Sequence, residues 1–351
     1  PDGKSVVFES MGRLYVKRDG EEAKRLTRDT GTAVEFSPAF SPDGKEVFYL
    51  TWSDDELGSV RKVSARGGRS KNVLATPGHY VDLSVSSDGE TLLFAKLSGS
   101  SLTNPHWGKK PGTYIFKLGD DEAQFVSRRG RSPHFGPDDR IYATERVSSA
   151  VGRGSDDASS ELISMNHDGE DVRTHASSPL ATVIRMSPAG KHVAYREAGR
   201  LYVAALPMTG RSINLSAIEN TASGAAAYAT ERVSAPGGEF IHWSADGTSL
   251  TWSVGPRFFQ YNVDGSLGTG ANEAQQIADL SLSVDSDRPR GLVAFTNARV
   301  ITMNSARDVI DNGVVIVEAN RIVALGATGD VSIPDGARQV DLAGKTLMPG
   351  Y

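Results

Sequence analysis

"FSPDGKEVFYL", Phe40 to Leu50, joins two apolar stretches through Ser-Pro-Asp-Gly. Each turn residue has a mechanical role. Pro presets φ, Asp bonds to its own backbone and Gly accepts positive φ, which suits a hairpin built on a type I turn. The same unit recurs. "PDGKSVVFES" starts at Pro1, "VSSDGETLLFA" at Val85, "FGPDDRIYAT" at Phe135, "MSPAGKHVAYR" at Met186 and "WSADGTSLTWS" at Trp243. The third turn residues are Asp2, Asp43, Asp88, Asp138, Ala189 and Asp246, separated by 41, 45, 50, 51 and 57 residues. That period is the size of one four-stranded propeller blade. Asp139 replaces Gly in the fourth copy, and Asp tolerates the left-handed region.

The flanking residues alternate. Val47, Tyr49 and Thr51 oppose Phe48 and Leu50, while Leu92 and Phe94 oppose Leu93 and Ala95, the period of a strand. Third strands are expected at Gly12, Gly112, Ser160, Gly199 and Arg257, with shorter fourth strands ending at Thr27 and Thr76. A single blade cannot bury both faces, so tandem copies must stack. Pro1-Asp2-Gly3 is the tail of one such turn, so an innermost strand is expected upstream of Pro1, and the blade number is six or more.

Bulk properties narrow the function classes. Net charge is -5 over 351 residues, which gives no global attraction to nucleic acid or an anionic membrane. No apolar run approaches the roughly 18 residues a membrane span needs. Cysteine is absent, which excludes disulfides and thiolate metal sites. No signal peptide is visible. The basic runs Arg61–Lys71 and Ser127–Ser132 read as solvated loops, and Ser148–Glu161 reads as a flexible Ser/Gly-rich insertion.

These repeats resemble the six-bladed propeller of the TolB family over residues 1–285. After Leu282 the pattern changes. Ser283–Gly291 is a polar linker, and strands are expected at Ala298–Met303, Gly313–Val317, Arg321–Leu325, Val340–Leu342 and Thr346–Met348, with Asn320 at positive φ in the turn between the second and third. "NARVITM", "DNGVVIVEANRIVALG" and "IPDGARQVDLAGKTLMPG" resemble the opening β-sandwich lobe of the metal-dependent amidohydrolase superfamily, over Ala294–Tyr351 within a linker-and-lobe segment of residues 286–351. The fold class expected is therefore all-β, a TolB-like propeller followed by part of a small β-sandwich lobe. The amidohydrolase resemblance implies a downstream TIM-type barrel that opens with a His-x-His metal motif. It also implies a divalent metal, zinc first, in the intact enzyme and hydrolysis of C–N bonds in a small-molecule or peptide substrate. It favours a periplasmic or secreted bacterial location and leaves homo-oligomerisation open. No metal ligands are expected in these residues, and the segment by itself is expected to be inactive. Two alternatives stay open, a protein-binding propeller module and a peptidase-associated gating propeller.

The seven histidines are scattered, with no HExxH pattern and no G-x-S-x-G nucleophile elbow anywhere. The candidate ligand-binding residues are the ionisable groups of the innermost strands, His79, His134, Arg185 and His242, together with Glu35, Asp82 and Glu239. They are expected to line the central channel, either as a ligand site or as groups hydrogen-bonded to channel water.

Overall fold

The structure is a computed structural model. It describes residues 3–28, 31–74, 76–98, 110–148, 158–207, 210–215, 228–234, 236–263, 267–285 and 289–350. The chain divides into two compact units, Pro1–Leu282 and Ser283–Tyr351. Among the described residues no helix is long and apolar enough to cross a membrane.

Among the described residues the first unit contains six sheets in chain order, antiparallel but for one added strand, the TolB-like β-propeller fold. The second blade runs outward as Val34–Phe40, Glu46–Ser53, Leu57–Ser64 and Lys71–Leu74. The third is Tyr80–Val85, Thr91–Lys96, Gly112–Lys117 and Gln124–Ser127. The fourth is Arg131–Phe135, Ile141–Ser148, Ala158–Met165 and Arg173–Ser178. The fifth is Ala181–Met186, His192–Glu197, Arg200–Ala205 and Thr230–Ser234. The sixth is Glu239–Trp243, Ser249–Val254, Arg257–Asn262 and Gln275–Asp279. The first blade has three strands among the described residues, Ser5–Ser10, Arg13–Arg18 and Lys24–Arg25, with no innermost one. Asp279 is held below the usual carboxylate range by hydrogen bonds from Ser281 and, more weakly, by the charge of Lys17.

The strand alternation sorts side chains between two neighbouring blades rather than between core and water. Phe48 and Leu50 pack on the third blade with Leu92 and Phe94, whereas Val47 and Tyr49 pack on the first with Leu14 and Val16. Leu93 turns the other way, to Ile141 and Ile163 of the fourth blade. Both faces of a middle blade are thus buried, which explains the near-continuous apolar runs. Each fully buried Leu or Phe contributes about 2–3 kcal/mol.

The repeated turns share one hydrogen-bond network. Ser41 Oγ donates to Asp43 Oδ1 (2.7 Å), the Lys45 N–H donates to the same oxygen (3.0 Å), and the Glu46 N–H donates to Ser41 Oγ (3.0 Å). Ser244, Asp246, Thr248 and Ser249 repeat it. Asp43 and Asp246 are each held at about 2, first by the serine hydroxyl. The turn glycine meets two demands at once. Gly247 has φ +70°, and a Cβ there would lie 3.0 Å from Cβ and N of Ala189 in the preceding turn. The fourth turn, which lacks Gly, places both Asp138 (φ 58°) and Asp139 (φ 53°) in the left-handed region.

Two sequence expectations are corrected, and one strand crosses between blades. Residues 158–161 of the expected flexible insertion belong to a strand paired with Glu145–Ser148, and residues 149–157 lie outside the described ones. In the fifth blade the chain leaves after its third strand, adds Ile213–Asn214 in parallel to the outer edge of the fourth blade, then returns as Thr230–Ser234. In the second unit the left-handed turn residue is Ala319 (φ 52°) rather than Asn320.

Among the described residues the second unit is one five-stranded sheet. Leu292–Ile301 pairs antiparallel with Val309–Glu318, which pairs with Arg321–Ala327. Arg338–Asp341 and Thr346–Leu347 lie parallel to the other edge of Leu292–Ile301. Asn297 (φ 58°) sits in a register shift that reverses side-chain parity. Ala294, Val314 and Ile316 therefore form one cluster, and Ala298, Val300 and Val315 another.

Candidate functional site

The innermost strands of all five complete blades are bulged, with register shifts at Phe36/Ala39, Val81/Ser84, Arg131/His134, Ala181/Val183 and Glu239/His242. In four of them the residue six places before the third turn residue has positive φ: Ser37 (53°), Asp82 (57°), Ser132 (51°) and Phe240 (53°). A bulge frees backbone groups from the ladder and re-aims side chains. Here the freed N–H groups are taken up by the preceding blade. The Ser37 N–H donates to Glu9 Oε2 (3.2 Å), the Leu83 N–H to Ser37 Oγ (3.3 Å) and the Ser132 N–H to Asp82 Oδ2 (3.2 Å). In the fifth blade Thr144 Oγ1 both accepts from the Ile184 N–H (2.9 Å) and donates to its carbonyl (3.0 Å).

Four residues before each third turn residue lies a second layer: Ala39, Ser84, His134, Arg185 and His242. His134 is buried, and its Nε2 accepts from the Met186 N–H (2.9 Å). A backbone amide can only donate, so the ring proton sits on Nδ1 and points at the Ser132 carbonyl (3.1 Å). Burial, and then the charge of Arg185, press this imidazole down to about 3. His134 is therefore a neutral strut between the fourth and fifth blades, with both nitrogens committed.

Arg185 is partly buried, and its guanidinium makes no hydrogen bond or ion pair with another described residue. It acts electrostatically on His134 and His242, and Asp82 acts on it. Those residues stand on the innermost strands of the fourth, sixth and third blades, and Arg185 on that of the fifth. Trp243 Nε1 donates to the Arg185 carbonyl (3.3 Å), and the Trp243 ring stacks on His192. His242 is surrounded by protein yet open to water. Crowding and the charge of Arg185 shift its imidazole down, and its water contact opposes the desolvation.

The remaining candidates separate from this group. His79 is exposed at the rim, its ring 4.7 Å from that of Trp52. Glu35 is buried away from the channel and accepts from the Leu14 N–H (3.0 Å) and Thr27 Oγ1 (2.8 Å). Glu239 pairs with Arg196 of the fifth blade. His134 thus bonds to the backbone beside Arg185 and Asp82 to that of Ser132, His242 is tied to Arg185 by charge alone, and Glu35, His79 and Glu239 lie elsewhere. Ser37, Thr144 and Trp243 were not singled out from the sequence. The constant offset of six or four residues from the turn was the available signal for the two layers.

The two ends of the propeller differ. The end where the innermost strands begin carries exposed Met11, Val34, Leu57, Leu97, Leu180 and Phe240, the last 66% exposed. The opposite end carries the polar Ser-Pro-Asp-Gly turns.

The divalent metal implied by the amidohydrolase resemblance does not fit these residues. Among the described residues no three His, Asp or Glu side chains converge, and His134 has no free nitrogen.

No protein-family profile matches the chain. Among solved structures, TolB from Acinetobacter baumannii has a TM-score of 0.50 and 15% identity, covering 78% of this chain and 65% of that one. A putative TolB from Agrobacterium tumefaciens has a TM-score of 0.45 and 19% identity, covering 60% and 75%. Two proteins of assigned activity match shorter stretches. Dipeptidyl-peptidase 5 of Porphyromonas endodontalis is 28% identical over 153 residues, 34% of this chain and 22% of that protein. The 5-methylthioadenosine/S-adenosylhomocysteine deaminase of Symbiobacterium thermophilum is 45% identical over 51 residues, 14% of this chain and 12% of that protein. Each match therefore spans less than a quarter of the relative's length.

Proposed function

We propose that this chain is the propeller and the leading β-unit of a metal-dependent, amidohydrolase-type enzyme acting on C–N bonds of non-peptide amides or related groups. Its metal-bearing barrel would be encoded beyond Tyr351. The observation that carries the reading is the 45% identity over 51 residues to a deaminase. In this reading the catalytic groups belong to that barrel. The propeller's part is to select what reaches the metal, with the exposed apolar end taken as the mouth that meets the catalytic module. Ionisable groups in a narrow channel focus the field on a passing ligand more strongly than groups on an open surface. A periplasmic or secreted location belongs to the same proposal.

Metal analysis and amide hydrolysis by the intact gene product test it. A stoichiometric divalent metal, with activity lost to a chelator, supports the reading. A metal-free, chelator-insensitive product overturns it. A gating role further requires that Arg185→Ala with His242→Ala change kcat/KM unequally for large and small substrates at unchanged metal content. Equal, small effects favour a scaffold.

The 153-residue match to a dipeptidyl-peptidase supports a second reading, a propeller beside a serine peptidase. Labelling of the intact product by a fluorophosphonate, with chelator-insensitive peptide cleavage, would favour it. If neither activity is found, a protein-recruiting TolB-like module is the reading that stands.

A further inference from the structure

We propose that the outer half of the sixth blade carries a binding site for a neutral sugar, in a cleft walled by four carboxamides and one carboxylate. The site lies wholly within the first unit and does not depend on the hydrolase reading.

The two faces of this blade are built differently. Leu250, Trp252 and Tyr261 pack on Ala194, Leu201 and Val203 of the fifth blade. Strand alternation sends Ser249, Thr251, Gln260 and Asn262 to the opposite face. There the register sets Thr251, Gln260 and Gln275 side by side in one row across three strands, and Ser249 beside Asn262 in the next. The second blade fills both of its faces with apolar side chains, so a polar row is not something the blade fold requires.

Gln260, Asn262, Ala271, Asn272, Glu273 and Gln275 line an open cleft of about 330 Å³. Small-molecule sites run from roughly 300 to 1,000 Å³, so the cleft suits one small ligand. Ala274 turns to the apolar cluster, while its neighbours Glu273 and Gln275 line the cleft. Asn272 Nδ2 donates to the Asn262 carbonyl (3.2 Å), which ties the loop before the last strand to the third strand and fixes one wall. The carboxamides of Gln260, Asn262 and Gln275 make no hydrogen bond with a described residue, and Asn272 keeps its Oδ1. Gln260 is half-buried, so its amide gives up part of its hydration without a protein partner in return.

The lining selects the ligand. An apolar molecule finds only Ala271, and an anion meets the Glu273 carboxylate with no cation beside it. A hard metal ion would have one carboxylate where it needs several oxygen ligands. A flat base finds no aromatic ring to stack on. Each carboxamide presents two donors and an acceptor in one plane, and each hydroxyl both donates and accepts. One amide can therefore bridge two adjacent hydroxyls, and Glu273 can accept from two more. A neutral pyranose carries such hydroxyl pairs around its rim.

Isothermal titration of the intact gene product with methyl glucoside, methyl galactoside, their uronates and glycerol tests the site. The better of the two neutral glycosides should bind with a Kd of roughly 1–10 mM. Its uronate and glycerol should each bind at least tenfold more weakly. Gln260→Ala with Gln275→Ala should lower binding of the glycoside at least tenfold. Gln276→Ala, on the same strand but outside the cleft, should leave it unchanged. Glu273→Gln should narrow the gap between glycoside and uronate to less than threefold. A thermal melt of each variant checks folding, and the comparison of glycoside with uronate in the unaltered protein stands without any variant. Metal content and hydrolysis play no part in these readouts, so the site and the hydrolase reading fail separately. Binding of neither glycoside up to roughly 50 mM would overturn the proposal. So would a uronate or glycerol that binds as tightly as the glycoside, or unchanged binding in a folded Gln260→Ala, Gln275→Ala protein, which would place the sugar elsewhere.

Discussion

Lowering the pH should strip stability from the propeller through His134, and the size of the loss follows from its two hydrogen bonds. In the folded chain Nε2 must stay unprotonated to accept from the Met186 N–H, and the ring titrates at about 3 instead of 6.5. The unfolded chain takes up its proton near 6.5, so between 6.5 and 3 the unfolded state binds more protons than the folded one. Stability is then complete above 6.5 and falls with pH through that window, by about 1.4 kcal/mol per unit. At pH 5 the loss is about 2 kcal/mol, or roughly 4 °C in Tm for a domain of this size. His175, His192 and His242 are shifted in the same direction, so the unaltered chain shows their contributions as well. His134→Gln separates them. The Gln Oε1 can accept from Met186 without titrating. The variant should lose about 1–3 kcal/mol at pH 7 through poorer geometry and packing, and its stability should fall about 2 kcal/mol less between pH 7 and pH 5. Denaturant titrations of both proteins at pH 7, 6 and 5 give the comparison. Parallel pH profiles would refute the tautomer and the strut derived from it.

Two further outcomes test the architecture. Gly247→Ala and Gly255→Ala both place Ala at positive φ (+70° and +57°), at about 1 kcal/mol or more each, but only the former meets a neighbouring turn, so denaturation should find Gly247→Ala the more damaging. Equal losses would count against turns packed blade on blade. Ser41→Ala should move Asp43 from about 2 toward 3.8 in an NMR titration, because the Ser41 hydroxyl is its principal anchor. The turn's carboxylate bonds are complete above 3.8 and lost as pH falls through about 2, and an unmoved Asp43 would assign the shift to the Lys45 backbone instead.

The turn network, the strand alternation and the blade period were legible because they are local. Ser41, Asp43 and Gly44 act within six residues, and period-two burial needs only the backbone pleat. Even the departure at Asp139 carried its own explanation in φ. The channel was half legible. Its residues could be chosen from the innermost strands, but Glu35 and Glu239 on the same strands went to Leu14 and Arg196. What His134 became was decided by a neighbour some fifty residues away, and what Arg185 became by the want of one. The Met186 N–H caps the first, and no acceptor among the described residues meets the second. Such partners are set by how one blade stacks on the next and by which backbone groups a bulge releases. Neither leaves a periodic mark in the chain. A residue's propensity to turn or extend is a property of its immediate neighbours, and the sequence by itself determined that much. Whether a buried imidazole becomes a strut or a guanidinium stays free depends on the desolvated space between blades, which only the tertiary structure decided.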